Sequence, residues 1–186
     1  MTPARFTNQL LIAMPTLADA NFSRTVTLIC EHNEHGALGV VVNRPTEVRL
    51  GALFEHLDIV TDNERVADTL VCAGGPVQLD RGFILHAPLG AWESTLTIEA
   101  DLGLTSSLDI LAAMAAGIGP ERSLVALGYA GWGAGQLERE IADNAWLTVP
   151  ADTAILFELP AEQRWQAAAS KLGVDLGLIA GHAGHA

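Results

Sequence analysis

Residues 30–35, with the sequence CEHNEH, place a thiol, two imidazoles and two carboxylates within six positions. Zn²⁺ accepts all three ligand types, and His32 and His35 could project together from a turn. No second group with metal-ligand spacing follows, so His86 or Cys72 would have to reach the first group through folding. We therefore predict no metal and no other cofactor. The alternative to a metal site is a solvent-exposed hairpin turn next to a buried Cys30.

Glu31 and His32, from the same segment, and His86 could also act as general acid or base. A buried histidine with a perturbed pKa in a concave site would support that role. The sequence contains neither the serine-hydrolase pattern G-x-S-x-G nor the zinc-protease pattern H-E-x-x-H. We favour a non-catalytic role, keep an enzyme of unknown reaction as the alternative, and retain Glu31 and His32 as candidates for contact with a ligand or partner.

A glycine-rich block occupies residues 128–136 (GYAGWGAGQ), between a predicted strand and a predicted helix. Such loops can bring backbone N–H groups close to a phosphate. The glycine spacing does not match G-x-G-x-x-G, and Glu138 and Glu140 in the following helix would oppose a bound anion. Gly131 and Trp132 are therefore binding candidates, and the alternative is tight packing with Trp132 covering an edge of the core.

A third set of candidates lies where predicted strands end: Asn43, Arg44, Gly74, Gly75, Pro76 and Arg81. If those strands share one sheet, the set could converge into a pocket with one or two guanidinium groups, which suits a carboxylate. The alternative is a set of purely structural turns.

The charge of the whole chain restricts its partners. There are 22 acidic residues against 10 lysines and arginines, which gives a net charge of −12, and the arginines are scattered singly. A DNA-binding surface needs clustered positive charge to neutralise phosphates. The sequence argues against direct DNA binding and favours a protein partner or a small-molecule ligand, while the oligomeric state stays open.

The chain has 186 residues and is 49% hydrophobic, which fits one domain with a sizeable core. No apolar run reaches the roughly 18 residues of a membrane-spanning helix. The longest apolar run near the N-terminus, residues 10–14, is shorter than the core of a secretory signal. Cys30 and Cys72 lie in apolar runs and are expected to be free buried thiols. These features predict a cytoplasmic protein without membrane attachment.

Hydrophobic periodicity predicts the elements that would position these candidates. Strands are expected at residues 10–14, 25–30, 38–43, 70–73, 82–87, 95–98, 123–129, 146–149 and 155–157. Helices are expected at residues 50–57, 108–116 and 136–143 and from Pro160 to Gly173. Since strands and helices do not alternate regularly, we predict a single α+β domain over residues 1–186, with a mixed or mostly antiparallel sheet.

Several motifs occur together along the chain: NQLL at 8–11, EHN at 31–33, NRP at 43–45, GGPV at 74–77, LGYAGWG at 127–133, QLERE at 136–140, NAW at 144–146 and GHA at 181–183. In this order they resemble the bacterial AlgH/YqgE family. The resemblance implies an α+β domain with a small barrel-like part surrounded by helices. Members of that family carry a transcriptional-regulator label, but the resemblance brings no catalytic residue or cofactor to transfer.

Overall fold

A ten-stranded sheet organises the part of the chain that the structure, a computed structural model, describes, which is residues 5–17 and 19–178. The strands are β1 Gln9–Ala13, β2 Val26–Asn33, β3 Gly36–Val41, β4 Pro45–Arg49, β5 Leu70–Ala73, β6 Val77–Ala87, β7 Thr95–Glu99, β8 Leu102–Thr105, β9 Arg122–Gly133 and β10 Trp146–Pro150. The helices are α1 Leu50–His56, α2 Glu64–Ala67, α3 Leu108–Ala115, α4 Gln136–Ala142, α5 Thr153–Phe157 and α6 Ala161–Ser170.

The strands pair in the order β10-β1-β2-β3-β9-β6-β8-β7, with β4 and β5 attached to the side of β9. All ladders are antiparallel except the one between β5 and β9, which is parallel. This arrangement confirms the predicted α+β class with a mostly antiparallel sheet.

The sheet curls around the largest apolar core. Leu28 of β2, Leu85 of β6 and Ile98 of β7 all belong to that core, and β7 comes close to β2 although four strands lie between them along the sheet. Within the described residues no ladder joins the two ends of the pairing path. The barrel-like part implied by the resemblance is therefore an open, curled sheet and not a closed barrel.

Helix α6 covers the inside of this curl. Its buried Ala168 and Ala169 pack into the main core, and the indole Nε1–H of Trp165 donates to the carbonyl of Ala13 at 2.9 Å. Arg164 donates to the carbonyls of Val42 and Leu159. Because α6 is tied to the strands through main-chain carbonyls, its position depends on the sheet.

A smaller apolar cluster on the other side of the sheet holds α1 and α3, through Leu50, Phe54, Ile110 and Leu111. No helix in the described part of the chain is both long and apolar enough to cross a membrane.

The strand predicted at residues 155–157 is wrong, since these residues belong to α5. Asp152 precedes this helix and its carboxylate accepts a hydrogen bond from the N–H of Ala154 at 2.9 Å. A three-residue apolar run fits a buried strand or a short helix equally well, so periodicity could not decide.

Candidate functional site

The first candidate segment is mostly strand. β2 continues to Asn33, so Glu31 and His32 precede the turn that we predicted to contain them. Alternation along the strand exposes Glu31 and buries His32. The N–H of Phe6 donates to Nδ1 of His32 at 3.0 Å, and Nε2 of His32 lies 2.5 Å from Oε1 of Glu138.

These contacts assign the tautomer of His32. Since Nδ1 accepts from Phe6, the ring proton is on Nε2 and is donated to Glu138. Partial burial raises the pKa of Glu138, but hydrogen bonds from its own backbone N–H and from His32 outweigh this effect and lower it. Both ring nitrogens of His32 are thus occupied by protein groups. No cluster of three potential metal ligands occurs among the described residues.

The other histidine of the acid–base hypothesis lies elsewhere. His86 is fully buried on β6, where Nδ1–H donates to the carbonyl of Pro88 at 3.1 Å and Nε2 accepts from the hydroxyl of Thr105 at 2.7 Å. Burial lowers the pKa of His86, partly offset by the bond to Pro88. Strands β3 and β9 separate β6 from β2, which is roughly 14 Å along the sheet. The structure does not bring His32 and His86 together.

The glycine-rich block is not a loop, which corrects our prediction. β9 runs through it to Gly133, and Trp132 pairs with Ala37 of β3. The carboxylate of Glu140 accepts the indole N–H of Trp132 at 3.3 Å and that of Trp146 at 3.1 Å. Gly131 and Trp132 thus belong to a paired strand, and Trp132 packs into an apolar cluster. Trp132 also lines a cleft of about 230 Å³ together with Glu31, so the structure brings these two candidates to one surface. Nothing in the sequence singled out Glu140 as the shared acceptor.

Part of the third candidate set, the residues at the ends of predicted strands, comes together at one cleft. Residues 19–24 belong to the connection between β1 and β2, and we call them the 19–24 crossing. A cleft of about 320 Å³ lies between this crossing, the end of β3 and the segment that joins β5 to β6. We call it the Arg44 cleft; its lining residues are Asn21, Val41, Arg44, Ala73, Gly75, Pro76 and Leu79. Asn21, Val41, Ala73 and Leu79 were not among the sequence candidates.

Arg44 is held by main-chain oxygens. Its Nη1 donates to the carbonyl of Asn21 at 2.7 Å and its Nη2 to the carbonyl of Ser23 at 2.9 Å. These bonds use two of the five N–H groups of the guanidinium. No carboxylate among the described residues forms an ion pair with Arg44. The cleft therefore contains a positioned positive charge that the described residues leave without an anionic partner.

Asn43 positions the wall of the cleft. Its side-chain oxygen accepts from the N–H of Val26 at 2.8 Å, and its amide donates to the carbonyl of Arg24 at 2.9 Å. These two bonds fasten the end of the 19–24 crossing and the start of β2 to the residue that follows β3. Asn43 is therefore a structural neighbour of the cleft and does not line it.

Gly74 and Gly75 let two main chains pass each other. A Cβ on Gly75, whose φ is +155°, would lie 2.1 Å from the carbonyl carbon of Tyr129. A Cβ on Gly74 would lie 2.4 Å from the carbonyl oxygen of Gly128. Arg81, in contrast, is exposed and stacks over the ring of Phe83 at 5.2 Å, outside the cleft. Of the third set, Arg44, Gly75 and Pro76 line one surface and Arg81 does not.

Comparisons with known proteins agree with this architecture. A family model described as AlgH-like matches residues 10–177. The chain belongs to the AlgH-like family. A UPF0301 protein of Thioalkalivibrio sulfidiphilus is 62% identical over 183 residues, with 98% of each chain covered. A UPF0301 protein of Dechloromonas aromatica is 54% identical over 186 residues, with 100% of both chains covered.

Two solved structures share this fold. The solution structure of the AlgH protein from Pseudomonas aeruginosa matches with a TM-score of 0.81 at 51% identity, covering 96% of this chain and 95% of that one. The crystal structure of a Corynebacterium diphtheriae protein matches with a TM-score of 0.73 at 20% identity, over 96% and 93% of the two chains, and shows the fold alone. These comparisons show that the chain has the AlgH-like fold. They assign no role to individual residues, so the roles described above are inferred from the geometry of this structure. The GHA motif at 181–183 lies outside the described residues.

Proposed function

We propose that this AlgH-like chain is a non-catalytic binding protein and that its Arg44 cleft receives a carboxylate group of a small molecule or of a protein. The observation that carries the proposal is the guanidinium of Arg44. Two main-chain carbonyls hold it at the cleft, and no described carboxylate neutralises it. A guanidinium with free N–H groups in a fixed orientation matches the two oxygens of a carboxylate.

The rest of the cleft suits the apolar body of such a ligand. Val41, Ala73, Pro76 and Leu79 supply apolar surface beside Arg44. A volume of about 320 Å³ is at the small end of ligand sites, which typically span about 300–1,000 Å³. The ligand class is therefore a compact carboxylate with an apolar group next to the charge.

The overall charge supports action through a protein or ligand and not through DNA. At −12 the chain repels a phosphate backbone, and one guanidinium cannot supply the clustered cations that duplex binding requires. The proposal includes a cytoplasmic location, supported by the free buried thiols of Cys30 and Cys72. Any regulatory role would then be exerted through the partner that the Arg44 cleft binds.

The test uses benzoate as the probe and benzyl alcohol as its neutral analogue. Binding of each probe is monitored through the amide NMR shifts of the full chain. Benzoate is expected to give saturable shifts around residues 21–24, 41–44 and 73–79, with benzyl alcohol giving much weaker ones. Arg44→Gln is expected to weaken benzoate binding by about tenfold, which is about 1.4 kcal/mol. The matched control, Arg81→Gln, removes an exposed guanidinium outside the cleft and should leave binding unchanged.

Arg44 also holds the 19–24 crossing in place, so Arg44→Gln could reduce binding by disturbing the structure. A second variant, which leaves these bonds intact, separates the effect on binding from the effect on folding. Leu79 is 64% exposed at the cleft, and Leu79→Asp adds a negative charge there while leaving the bonds of Arg44 intact. This variant should weaken benzoate more than benzyl alcohol, since both probes lose apolar contact but only benzoate is repelled by the added charge. Equal shifts with both probes, or unchanged benzoate binding in both variants, would contradict the proposal.

A further inference from the structure

A larger cleft, of about 500 Å³, lies at the gap between the two ends of the curled sheet. The start of β1 and the end of β10 form one wall, and the end of β6, the β7–β8 turn and the start of β9 form the other. Its apolar lining consists of Ala87, Pro88, Leu102, Ala151 and Leu156. We call it the end cleft. None of its lining residues was a candidate in the sequence.

The end cleft exists because the curled sheet stays open. The side-chain amide of Asn8 crosses the gap and donates to Oε2 of Glu99 at 3.3 Å, and the carbonyl of Asn8 accepts from the N–H of Ala151 at 2.9 Å. Leu102 and Leu156, which form part of the lining, belong to the main core and are at most 6% exposed. The lining is thus anchored to the core and not to a loose loop.

The charged lining is mostly negative. Glu99, Asp101 and Glu121 are exposed at the cleft, and Asp101 accepts one bond, from the N–H of Leu89 at 3.3 Å. Glu121 has no hydrogen bond or ion pair with any described residue. Arg122, the one cation that the described residues contribute to the lining, is paired with Glu158 at 3.1 Å. The cleft therefore combines an apolar lining with carboxylates that form no ion pair with the described residues.

The geometry points to a second binding site at the end cleft, which takes a small organic cation: an ammonium or guanidinium group carried on an apolar body. The apolar lining covers the body, and Asp101 and Glu121 accept the N–H groups of the cation. Charge complementarity selects this occupant, since an anion would meet three carboxylates. The site goes beyond the proposed function, because it uses different residues and the opposite ligand charge.

The test uses benzylammonium as the probe, with benzyl alcohol as the neutral analogue of the same ring. Amide NMR shifts of the full chain should saturate with a Kd on the order of 1 mM, as expected for so few heavy atoms. The shifts should be confined to residues near 8, 87–89, 99–102, 121–122 and 151–156. Binding should weaken as salt is raised, since the carboxylates are exposed.

Three variants are expected to change the affinity for benzylammonium differently: one weakens binding, one tightens it and one, the control, leaves it unchanged. The double variant Asp101→Asn with Glu121→Gln keeps side-chain shape and should weaken benzylammonium about tenfold, since two exposed charges are lost. Arg122→Gln removes the competing cation, frees Glu158 and should tighten binding about two- to threefold. Glu55→Gln, an exposed carboxylate on α1, is the control for the overall charge and should change nothing.

Weakening in the double variant together with tightening in Arg122→Gln supports the site. Absence of saturable shifts, shifts located elsewhere, equal shifts with benzyl alcohol, or equal weakening by Glu55→Gln would overturn it. Arg44→Gln should not affect benzylammonium, and the double variant should not weaken benzoate. Failure at one cleft is therefore distinguishable from failure at the other.

Discussion

At the residue scale, two segments of main chain pass each other closely beside the Arg44 cleft, and this close approach depends on glycines that have no side chain. Gly75 faces the carbonyl of Tyr129, and Gly128, with a φ of +80°, has no room for a Cβ because the carbonyl oxygen of Gly75 would lie 2.5 Å away. Each glycine is therefore required by the main chain of the other segment. Sequence alone shows two glycine-containing motifs far apart in the chain and cannot show that they touch.

Gly75→Ala is expected to lower the free energy of unfolding by more than about 3 kcal/mol, through backbone strain and contact with Tyr129. Urea denaturation followed by tryptophan fluorescence measures the effect. Gly82→Ala is the matched control, because a Cβ on Gly82 meets nothing within 4 Å and its effect should stay within about 0.5 kcal/mol. A loss below about 1 kcal/mol in Gly75→Ala would show that the crossing can relax.

His86 makes stability depend on pH. Burial lowers the pKa of His86 in the folded protein below its ordinary value of 6.5, so the unfolded chain binds the proton more tightly. The contribution to stability is present above pH 6.5 and is lost as pH falls towards the lowered pKa. Urea denaturation at successive pH values should show a decline below 6.5 that His86→Gln reduces. An identical decline in both proteins would assign the effect to other groups.

At the scale of elements, the motif-rich end of β9 serves to hold α4 and β10. Trp132 of β9 and Trp146 of β10 both donate to the carboxylate of Glu140 on α4, and Gln136 donates to its other oxygen at 2.8 Å. One carboxylate thus connects three elements. The glycine–tryptophan block therefore has a structural role in joining these elements.

Glu140→Ala is expected to lower the free energy of unfolding by about 2–3 kcal/mol, since two buried indole N–H groups lose a charged acceptor. Its control is Glu55→Ala, which removes an exposed carboxylate from α1 and should cost little. Urea denaturation gives both values. The environment of the two indoles should also change in the near-ultraviolet circular dichroism of Glu140→Ala. Equal stability of the two variants would contradict the assigned role.

At the scale of the whole molecule, a strongly acidic chain carries two clefts of opposite character. The Arg44 cleft holds one cation without an ion-pair partner among the described residues, and the end cleft presents three carboxylates against one paired arginine. The net charge of −12 strengthens cation binding at the end cleft and opposes any extended polyanion.

We accordingly expect no duplex DNA binding even at about 50 mM salt, where electrostatic binding is strong. Fluorescence anisotropy of a labelled duplex measures this, with a basic DNA-binding protein as the positive control. Saturable binding that weakens as salt is raised would contradict the expectation. It would indicate a basic surface that the described residues do not show.

The sequence by itself determined the α+β class, most strands and helices, and the family, because hydrophobic periodicity and local motifs act over short distances along the chain. It also marked Arg44, Gly75 and Pro76 as neighbours in a possible carboxylate pocket. It missed the short strands β4 and β8 and mistook α5 for a strand, since four or five residues carry too little periodic signal.

Only the tertiary structure decided which side chains meet. The pairing of β3 with β9 turned the glycine-rich block from an apparent loop into strand, and the bond of Glu138 to His32 joined residues more than a hundred positions apart. The end cleft arises because the curled sheet does not close, which no local pattern encodes. Strand order and curvature are set by packing around the common core, and they place the residues of both clefts.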